Sequence, residues 1–481
     1  MILKEHLERE VKLRTPPGFR LPDYPGRFIP RRVFTSTYFD TKRYALGRLG
    51  ITLRRRIEQN KTKWQLKLPT ASSRLELEIA GKPGYLPPEF RDLLFGLLQQ
   101  EEAMPIAKLR TVRYGFQVHH NGKTLAEITQ DSVALLDGRQ IKRRFSETEI
   151  ELIDGNEKDL LQIKDTMTKA GAFDGDPRPK VFQALALDLP ESPPRIDPSA
   201  PPIDHLKAIL KRQVREILVH DPGTRLGRDP EELHQMRVAT RRFRALLRTG
   251  HVFLDTEWMT LLRQEVGWLG GILGTVRDYD VLLEDLQHEI ETLSQDDQTT
   301  FKDLLRILDS QREAARATML EELQSPRFLM VLNQLEHAAY FPESVSTEVT
   351  LQEISANQYR KLRRCVQKWD KNCSNEDLHQ IRIRAKRARY AAELAEHSMG
   401  KPASQFIRQI KKFQDLLGSH QDAVITEQRL RELLRSSKSV EAGFSVGQIV
   451  ERLRKRREQV RNQFSACWKK LRKRGKDAWG R

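Results

Sequence analysis

Leu7-Glu8-Arg9-Glu10-Val11-Lys12-Leu13-Arg14 alternates charged and apolar residues, and its reading decides the fold of the first half of the chain. Successive side chains of a strand point to opposite faces. Glu8, Glu10, Lys12 and Arg14 therefore share one face, and Leu7, Val11 and Leu13 line the other. The alternation returns downstream. Arg54 and Arg56 oppose Ile51, Leu53 and Ile57, and Lys67 opposes Trp64, Leu66 and Leu68. Arg74, Glu76 and Glu78 alternate with Leu75, Leu77 and Ile79. Glu127 shares a face with Asp131, and Glu147, Glu149 and Glu151 stand against Ile150 and Leu152.

An antiparallel sheet commonly keeps one wet face, and any one of these strands alone fits that arrangement. The set fits it less well. Solvated strand faces are rich in Thr, Ser, Gln and Lys, whereas these carry carboxylates and guanidiniums in i, i+2 pairs. Turned into a closed barrel, such faces form a charged lumen, which is costly unless the charges compensate one another or bind ions. Carboxylate pairs are hard-oxygen ligands suited to Mg2+ or Mn2+, and rows of Arg and Lys suit phosphate oxygens. Together they describe a site for a metal-bound oligophosphate.

Glu8-x-Glu10-x-Lys12 and the strands that follow resemble the CYTH, or triphosphate tunnel metalloenzyme, family over about residues 3–187. The resemblance implies an eight-stranded antiparallel β tunnel barrel of the α+β class. It also implies hydrolysis or cyclisation of triphosphate-containing substrates with a divalent metal, Mg2+ or Mn2+. Carried onto this sequence, the metal-side carboxylates are Glu8, Glu10, Glu149 and Glu151, with Glu78 and Asp131 as further candidates. The implied phosphate contacts are Lys12, Arg54, Arg56, Lys67, Arg110 and Lys180, and the implied catalytic residues are Glu8, Glu10 and Lys12. Arg110 and Arg113 cannot share one face of a regular strand, and Arg110 is preferred. Such chemistry needs in-line positioning and charge stabilisation rather than a covalent nucleophile. No GxxxxGK(S/T) loop is present, which argues against a P-loop enzyme.

A Pro-rich run from Pro190 to Pro202 divides the chain and excludes a helix there. The expected organisation is a tunnel domain over 1–190, a linker over 191–203 and a helical domain over 204–478. Beyond the linker an internal repeat appears. His234-Gln-Met-Arg237 through Arg241 and Arg244 aligns with His379-Gln-Ile-Arg382 through Lys386 and Arg389. Leu273-Gly274 with Asp278 aligns with Leu417-Gly418 with Asp422, again about 145 residues on. Two blocks in one register predict two related helical bundles in an all-α domain.

After an Asp229-Pro230 helix start, His234, Arg237, Arg241, Arg244 and Arg248 recur at helical spacing, forming one stripe. A charged stripe is ordinarily the solvated side of a helix. This one is almost purely cationic, without the Glu that usually supports Lys at i, i+4, and it occurs twice. Lys207 and Lys211 on the preceding helix, with Arg408 and Lys412 later, add further cations. The histidine-headed, repeated pattern resembles the CHAD domain over about residues 204–475. That resemblance implies polyphosphate binding by His234, Arg237, Arg241, Arg244, His379, Arg382, Lys386 and Arg389, with Lys207, Lys211, Arg408 and Lys412. Helix packing is the alternative role for the two histidines. One departure is visible: Val276 stands where the second repeat has His420.

Composition agrees with an acidic partner. The 481 residues carry a formal net charge of +18, divided as roughly +8 up to residue 190 and about +10 beyond it. Cys365, Cys373 and Cys467 are an odd count without CxxC, so no disulfide framework is expected. MILKEHLEREVK has charges where a secretory signal needs an apolar core, and the apolar stretch Trp258–Val276 is interrupted by Arg263 and Glu265. A cytoplasmic protein without membrane insertion is expected, associated with polyphosphate granules. The expected function is metal-dependent hydrolysis of inorganic triphosphate or polyphosphate, with polyphosphate held by the helical domain. The alternatives are a non-catalytic polyphosphate-binding protein, or another tunnel-family activity such as thiamine triphosphatase or adenylate cyclase. Specific nucleic-acid binding is disfavoured, because aromatic stacking clusters and a helix-turn-helix unit are missing from the sequence.

Overall fold

The computed structural model describes residues 3–70, 73–81, 84–190, 192, 196–436 and 440–480. Positions 191 and 193–195 of the Pro-rich linker lie outside the described residues. The chain divides into two compact units, Met1–Pro193 with Asp221–Leu226, and Pro194–His220 with Gly227–Arg481.

The first unit is built on one antiparallel sheet. Its strands are β1 (Lys4–Glu8), β2 (Glu10–Arg14), β3 (Gly26–Asp40), β4 (Thr52–Glu58), β5 (Lys61–Pro69) and β6 (Arg74–Ala80). After short helices α1 (Pro88–Leu93) and α2 (Phe95–Leu98) come the long strands β7 (Met104–His120), β8 (Lys123–Asp137) and β9 (Gln140–Leu152). Helix α3 (Glu157–Lys169), the short β10 (Phe173–Asp174) and α4 (Lys180–Leu185) complete the unit.

The strand order is β1-β6-β5-β4-β3-β7-β8-β9-β2-β10. This corrects the expected eight-stranded closed barrel. Ten strands are present among the described residues, and no ladder joins β1 to β2. The reason is local to Arg9. The single N-terminal stretch read from the sequence is split there, so β1 pairs with β6 at one edge while β2 pairs with β9 toward the other, where β10 is the last strand. The carbonyl of Arg9 accepts the amide of Leu152 at 2.9 Å, and His6 of β1 lies 3.1 Å from Glu151 of β9. The sheet therefore curls until its two ends meet through one covalent segment.

Alternation places the charged residues on the concave face and apolar residues on much of the other. On the convex side, Leu13, Phe116, Val118, Ala126, Ile128, Ile150 and Leu152 pack against Leu160, Ile163 and Met167 of α3. Asn156 and Asp159 form a capping box that starts α3. Tyr38, Ala107, Leu109 and Val133 pack with Val181, Phe182 and Ala184 of α4. That packing fixes the first residue of α4, Lys180.

The second unit is all-helical: α5 (Pro202–Leu226), α6 (Pro230–Thr249), α7 (Thr256–Glu291), α8 (Gln295–Leu323), α9 (Pro326–Tyr340), α10 (Leu351–Val366), α11 (Asn375–Met399), α12 (Lys401–Ser436) and α13 (Val440–Trp479). Asp229 and Ser374 are the N-caps of the two repeat helices α6 and α11. The duplicated sequence has a spatial counterpart. Helix α6 packs on α11, α7 on α12 and α8 on α13, so these three helices meet their own equivalents. Leu283 and Leu286 of α7, Phe301 and Leu308 of α8, Ala423 and Leu430 of α12, and Ile449 and Leu453 of α13 form one shared core. The apolar stretch Trp258–Val276 falls within α7, with Val266, Leu269 and Leu273 fully buried. Among the described residues no helix is long and apolar enough to cross a membrane.

Candidate functional sites

The concave face of the sheet holds two linked clusters. In the first, Lys67 of β5 donates to both oxygens of Glu8 at 2.5 and 2.7 Å and lies 3.0 Å from Glu76 of β6. Arg54 of β4 donates to Gln65 at 2.8 Å and to the Tyr38 hydroxyl at 3.3 Å, and stands 3.8 Å from Glu76. Gln65 bridges Glu76 and Glu78, and Lys63 binds Glu78 at 2.5 Å. Burial and the neighbouring Glu76 push the Glu8 carboxyl up to about 8, against the opposing pull of Lys67. Burial acts in the same direction on Glu76, but Lys67, the hydrogen bond with Glu8 and Arg54 outweigh it and hold Glu76 well below the usual carboxylate range.

In the second cluster, Arg113 of β7 grips Asp131 with two bonds of 2.7 Å and reaches Glu149 at 3.1 Å. Lys180 contacts Asp131 at 3.1 Å, Glu149 at 2.7 Å, and Glu147. Lys12 adds 3.7 Å to Glu149 and 4.0 Å to Glu147, and donates to the Arg178 carbonyl at 3.1 Å. Burial would raise the Glu149 carboxyl, but Lys180, Lys12 and Arg113 overcome it and hold it well below its ordinary value. Burial likewise opposes charge on Lys180, yet Glu149, Glu147 and Asp131 raise it well above the usual ammonium range. Asp131, Glu147 and Glu149 each offer an oxygen within 4.8 Å of the others, a spacing that fits one hard divalent cation.

The remaining predicted tunnel residues fall into place individually. Glu10 and Glu151 are cross-strand partners, and Glu151 also pairs with His6. Arg56 is buried over the Phe34 ring at 3.5 Å and binds Glu58 at 2.6 Å. Burial, with Arg54 and Arg113 nearby, lowers its guanidinium to about 10. Arg110 is a correction. It is exposed, while Arg113 occupies the charged face. The register Arg113↔Asp131 and Arg110↔Ala134 decides the matter, since positions three apart on one strand must point opposite ways. Glu76 and Glu147 were passed over as ligand candidates in favour of Glu78 and Glu151. The alternation already put each pair on one face; only the register shows which carboxylate meets Lys67 or Lys180.

The helical unit carries the second candidate site. Arg241, Arg244 and Arg248 of α6, Arg263 of α7, Lys361 of α10, and Arg384, Lys386 and Arg387 of α11 line a cavity of about 580 Å3, and no carboxylate lines it. Glycines make the close approach possible. A Cβ on Gly267 would stand 3.2 Å from the Arg244 guanidinium, and one on Gly274 would lie 3.5 Å from that of Arg237. Arg244 donates to the Arg263 carbonyl at 3.2 Å, and Arg237 pairs with Asp278 at 2.9 Å. This gives the repeated Leu-Gly…Asp block a physical role in the first repeat.

Burial, with Arg382, Arg241 and Arg389, lowers the Lys386 ammonium to about 7. An anion in the cavity favours its charged form. Affinity for a polyanion is therefore expected to fall as pH rises from about 7, by at most about tenfold per unit, and binding should take up a proton. Lys386→Arg should flatten this profile. Calorimetric titration in two buffers at fixed ionic strength measures both effects.

Other predicted cations lie elsewhere. Lys207 pairs with Asp204 at 3.4 Å, and Lys211 rests over the Tyr340 ring at 4.1 Å. Arg408 lines a separate cavity of about 520 Å3 that also contains Glu216, Glu393 and Glu396, and Lys412 is exposed on α12. Arg389 pairs with Glu393 at 3.4 Å, and Arg382 lies near Asp422. His234 is partly buried, with burial and Arg277 lowering its pKa, while His379 contacts Gln421 at 3.0 Å. The Val276/His420 departure falls in the core, since both residues are buried. Arg248, Arg263, Lys361, Arg384 and Arg387 were not selected from the sequence, except that Arg248 extends the stripe. The three on α10 and α11 lie off that stripe, and only helix packing brings them to it.

A charged concave sheet with a three-carboxylate cluster is followed along the chain by a duplicated helical bundle with a cationic cavity. The chain carries a CYTH domain, matched over residues 6–178, followed by a CHAD domain, matched over residues 208–431. Two Mycobacterium tuberculosis proteins, from strains CDC 1551 / Oshkosh and ATCC 25618 / H37Rv, are each 26% identical over 97% of this chain and 96% of their own length; both are described as uncharacterized. The CHAD domain from the plant Ricinus communis is 24% identical, covering 58% of this chain and 95% of that one, with a TM-score of 0.48. HpAC1 from Hippeastrum, described as having a dominant triphosphatase activity, is 16% identical, covering 38% of this chain and 96% of that one, with a TM-score of 0.25.

Proposed function

We propose that the CYTH domain hydrolyses phosphoanhydride bonds of inorganic triphosphate or polyphosphate, and that the CHAD domain holds polyphosphate chains. One observation carries the reading. Lys12, Arg54, Arg56, Lys67, Arg113 and Lys180 stand on one concave face, interleaved with carboxylates that a plain anion-binding surface does not need. Arg54 and Lys67 are held by Glu76 and Glu8, so they are positioned before a phosphate arrives. Their row suits successive phosphates in line, leaving the terminal phosphorus open to water while the anhydride oxygen departs with pyrophosphate.

Asp131, Glu147 and Glu149 fit a divalent ion, with Glu8, Glu10 and Glu151 as the other candidate ligands. Mg2+ or Mn2+ bound there would offset charge on the phosphate oxygens. Lys180 neutralises the three-carboxylate group, and an incoming cation would displace it toward the substrate.

The test is phosphate release from tripolyphosphate with Mg2+ or Mn2+, beside long-chain polyphosphate, ATP and thiamine triphosphate. Glu8→Ala and Glu10→Ala are expected to lower kcat/KM about 100-fold or more. Tight polyphosphate binding without any phosphate release would leave a binding protein instead. Release from ATP or thiamine triphosphate above tripolyphosphate would redirect the substrate assignment.

A further inference from the structure

The residue that the lumen excludes, Arg110, belongs to a second surface. On the convex side of the sheet, α3 covers only the end nearer Phe116 and Ile128. Toward the β8–β9 hairpin the same side is bare. Arg110, Ala134 and Arg144 form one row across β7, β8 and β9, and Lys108 stands two residues along β7 from Arg110. Ser132 and Ser146 are partners in the neighbouring row. Lys108, Arg110, Arg144 and both serines are exposed, and among the described residues no ion pair neutralises any of the three cations.

Strand spacing fixes the pattern. Arg110 and Arg144 are two strands apart, about 9–10 Å, and Lys108 is about 7 Å from Arg110. The outward positions of β7 from 108 to 114, of β8 from 130 to 136 and of β9 from 144 to 148 include no Asp or Glu. The cations of the concave site are paired with carboxylates, whereas this triad stands on acid-free rows. The residues between the cations are Ala and Ser, which let an extended chain lie close to the sheet. Tyr114 is the one exposed aromatic in these rows, too little for a run of stacked bases.

We propose that this convex face, centred on Lys108, Arg110 and Arg144, is an external docking surface for linear inorganic polyphosphate, separate from the concave site and from the helical cavity. It rests on the reading of the chain as a polyphosphate protein. Tripolyphosphate is too short to gain from it, whereas a long chain can engage it while its end or another stretch is held elsewhere.

The experiment compares the full chain with the triple variant Lys108→Gln, Arg110→Gln, Arg144→Gln. Affinity for long-chain polyphosphate is measured across a salt series, together with tripolyphosphate hydrolysis and thermal melting. The expected result is a several-fold loss of long-chain affinity and a salt slope shallower by about 2, as for three lost phosphate contacts. Tripolyphosphate turnover and melting should be unchanged, and long-chain polyphosphate should protect Lys108 of the unaltered protein from acetylation. Unchanged affinity with an unprotected Lys108 overturns the proposal and leaves the two-domain function standing. Loss of single-stranded DNA binding alone also overturns it, by assigning the face to nucleic acid. Failure of the unaltered chain to bind polyphosphate removes both readings, and is seen before any variant is made.

Discussion

Lys180→Ala is expected to destabilise the CYTH domain by about 3–5 kcal/mol near neutral pH, with Mg2+ or Mn2+ restoring part of the loss. The ammonium contacts Asp131 and Glu149 at 3.1 and 2.7 Å and also meets Glu147, so its removal leaves three buried carboxylates facing the cations Arg113 and Lys12 and the Gln183 amide. Glu149 and Asp131 titrate below their ordinary values because these cations outweigh the effect of burial. Their contribution is present above the unfolded carboxylate range and is lost as pH falls through the folded values. The difference between variant and parent should therefore be widest at pH 7–8 and shrink in acid. For a domain of this size the melting shift is about 2–4 °C for each kcal/mol. A divalent ion that occupies the cluster replaces the missing charge and binds only the folded form. A variant as stable as its parent, or a melting point indifferent to Mg2+ and Mn2+, would refute the assignment of this cluster as the cation site.

The second large effect belongs to the helical cavity. Arg244→Ala, Arg248→Ala and Arg387→Ala together remove three of the eight cations that line it. Polyphosphate affinity at moderate salt should fall by about 100-fold or more, at roughly 1–2 kcal/mol per charge-assisted contact. The slope of log affinity against log salt should become shallower by about 2. Tripolyphosphate hydrolysis should be unaffected, because none of the three lies in the CYTH domain. The guanidiniums are repelled by one another in the free protein, so the variant should fold normally or melt slightly higher. Undiminished affinity would place the polyphosphate chain on another surface.

How far the sequence carried is clearest in three places. Glu8-x-Glu10-x-Lys12 was legible as one charged strand face, because period-2 alternation needs no knowledge of neighbours. The break at Arg9 was not, since it arises from two partners, β6 and β9, that the stretch must satisfy at once. Arg110 and Arg113 could be recognised as incompatible on one face, yet choosing between them required the cross-strand position of Asp131. In the second half, helical spacing exposed the α6 stripe and the repeat exposed its α11 counterpart. Arg384 and Arg387 stayed hidden because they lie off that stripe on their own helix, and become cavity residues only through packing against α6. Lys207 and Lys211 show the opposite limit: on the preceding helix they add positive charge in the sequence, but Asp204 and Tyr340 occupy them locally.

The pairing of α6, α7 and α8 with their own duplicates has a consequence for how a polyanion would be read. A linear inorganic polyphosphate has no chemical polarity; its two ends are the same, unlike a nucleic acid or a peptide. The duplicated frame, α6 against α11 and α7 against α12, does not carry duplicated chemistry: Arg248, Arg263 and Lys361 of the acid-free cavity correspond to Glu393, Arg408 and Glu216 of the other cavity. A chain with identical ends would therefore meet a one-sided receptor, free to enter by either end yet drawn to only one of the two equivalent faces. The exchange of Val276 for His420 is not what breaks the equivalence, because both residues lie in the core; the differing surface charges do.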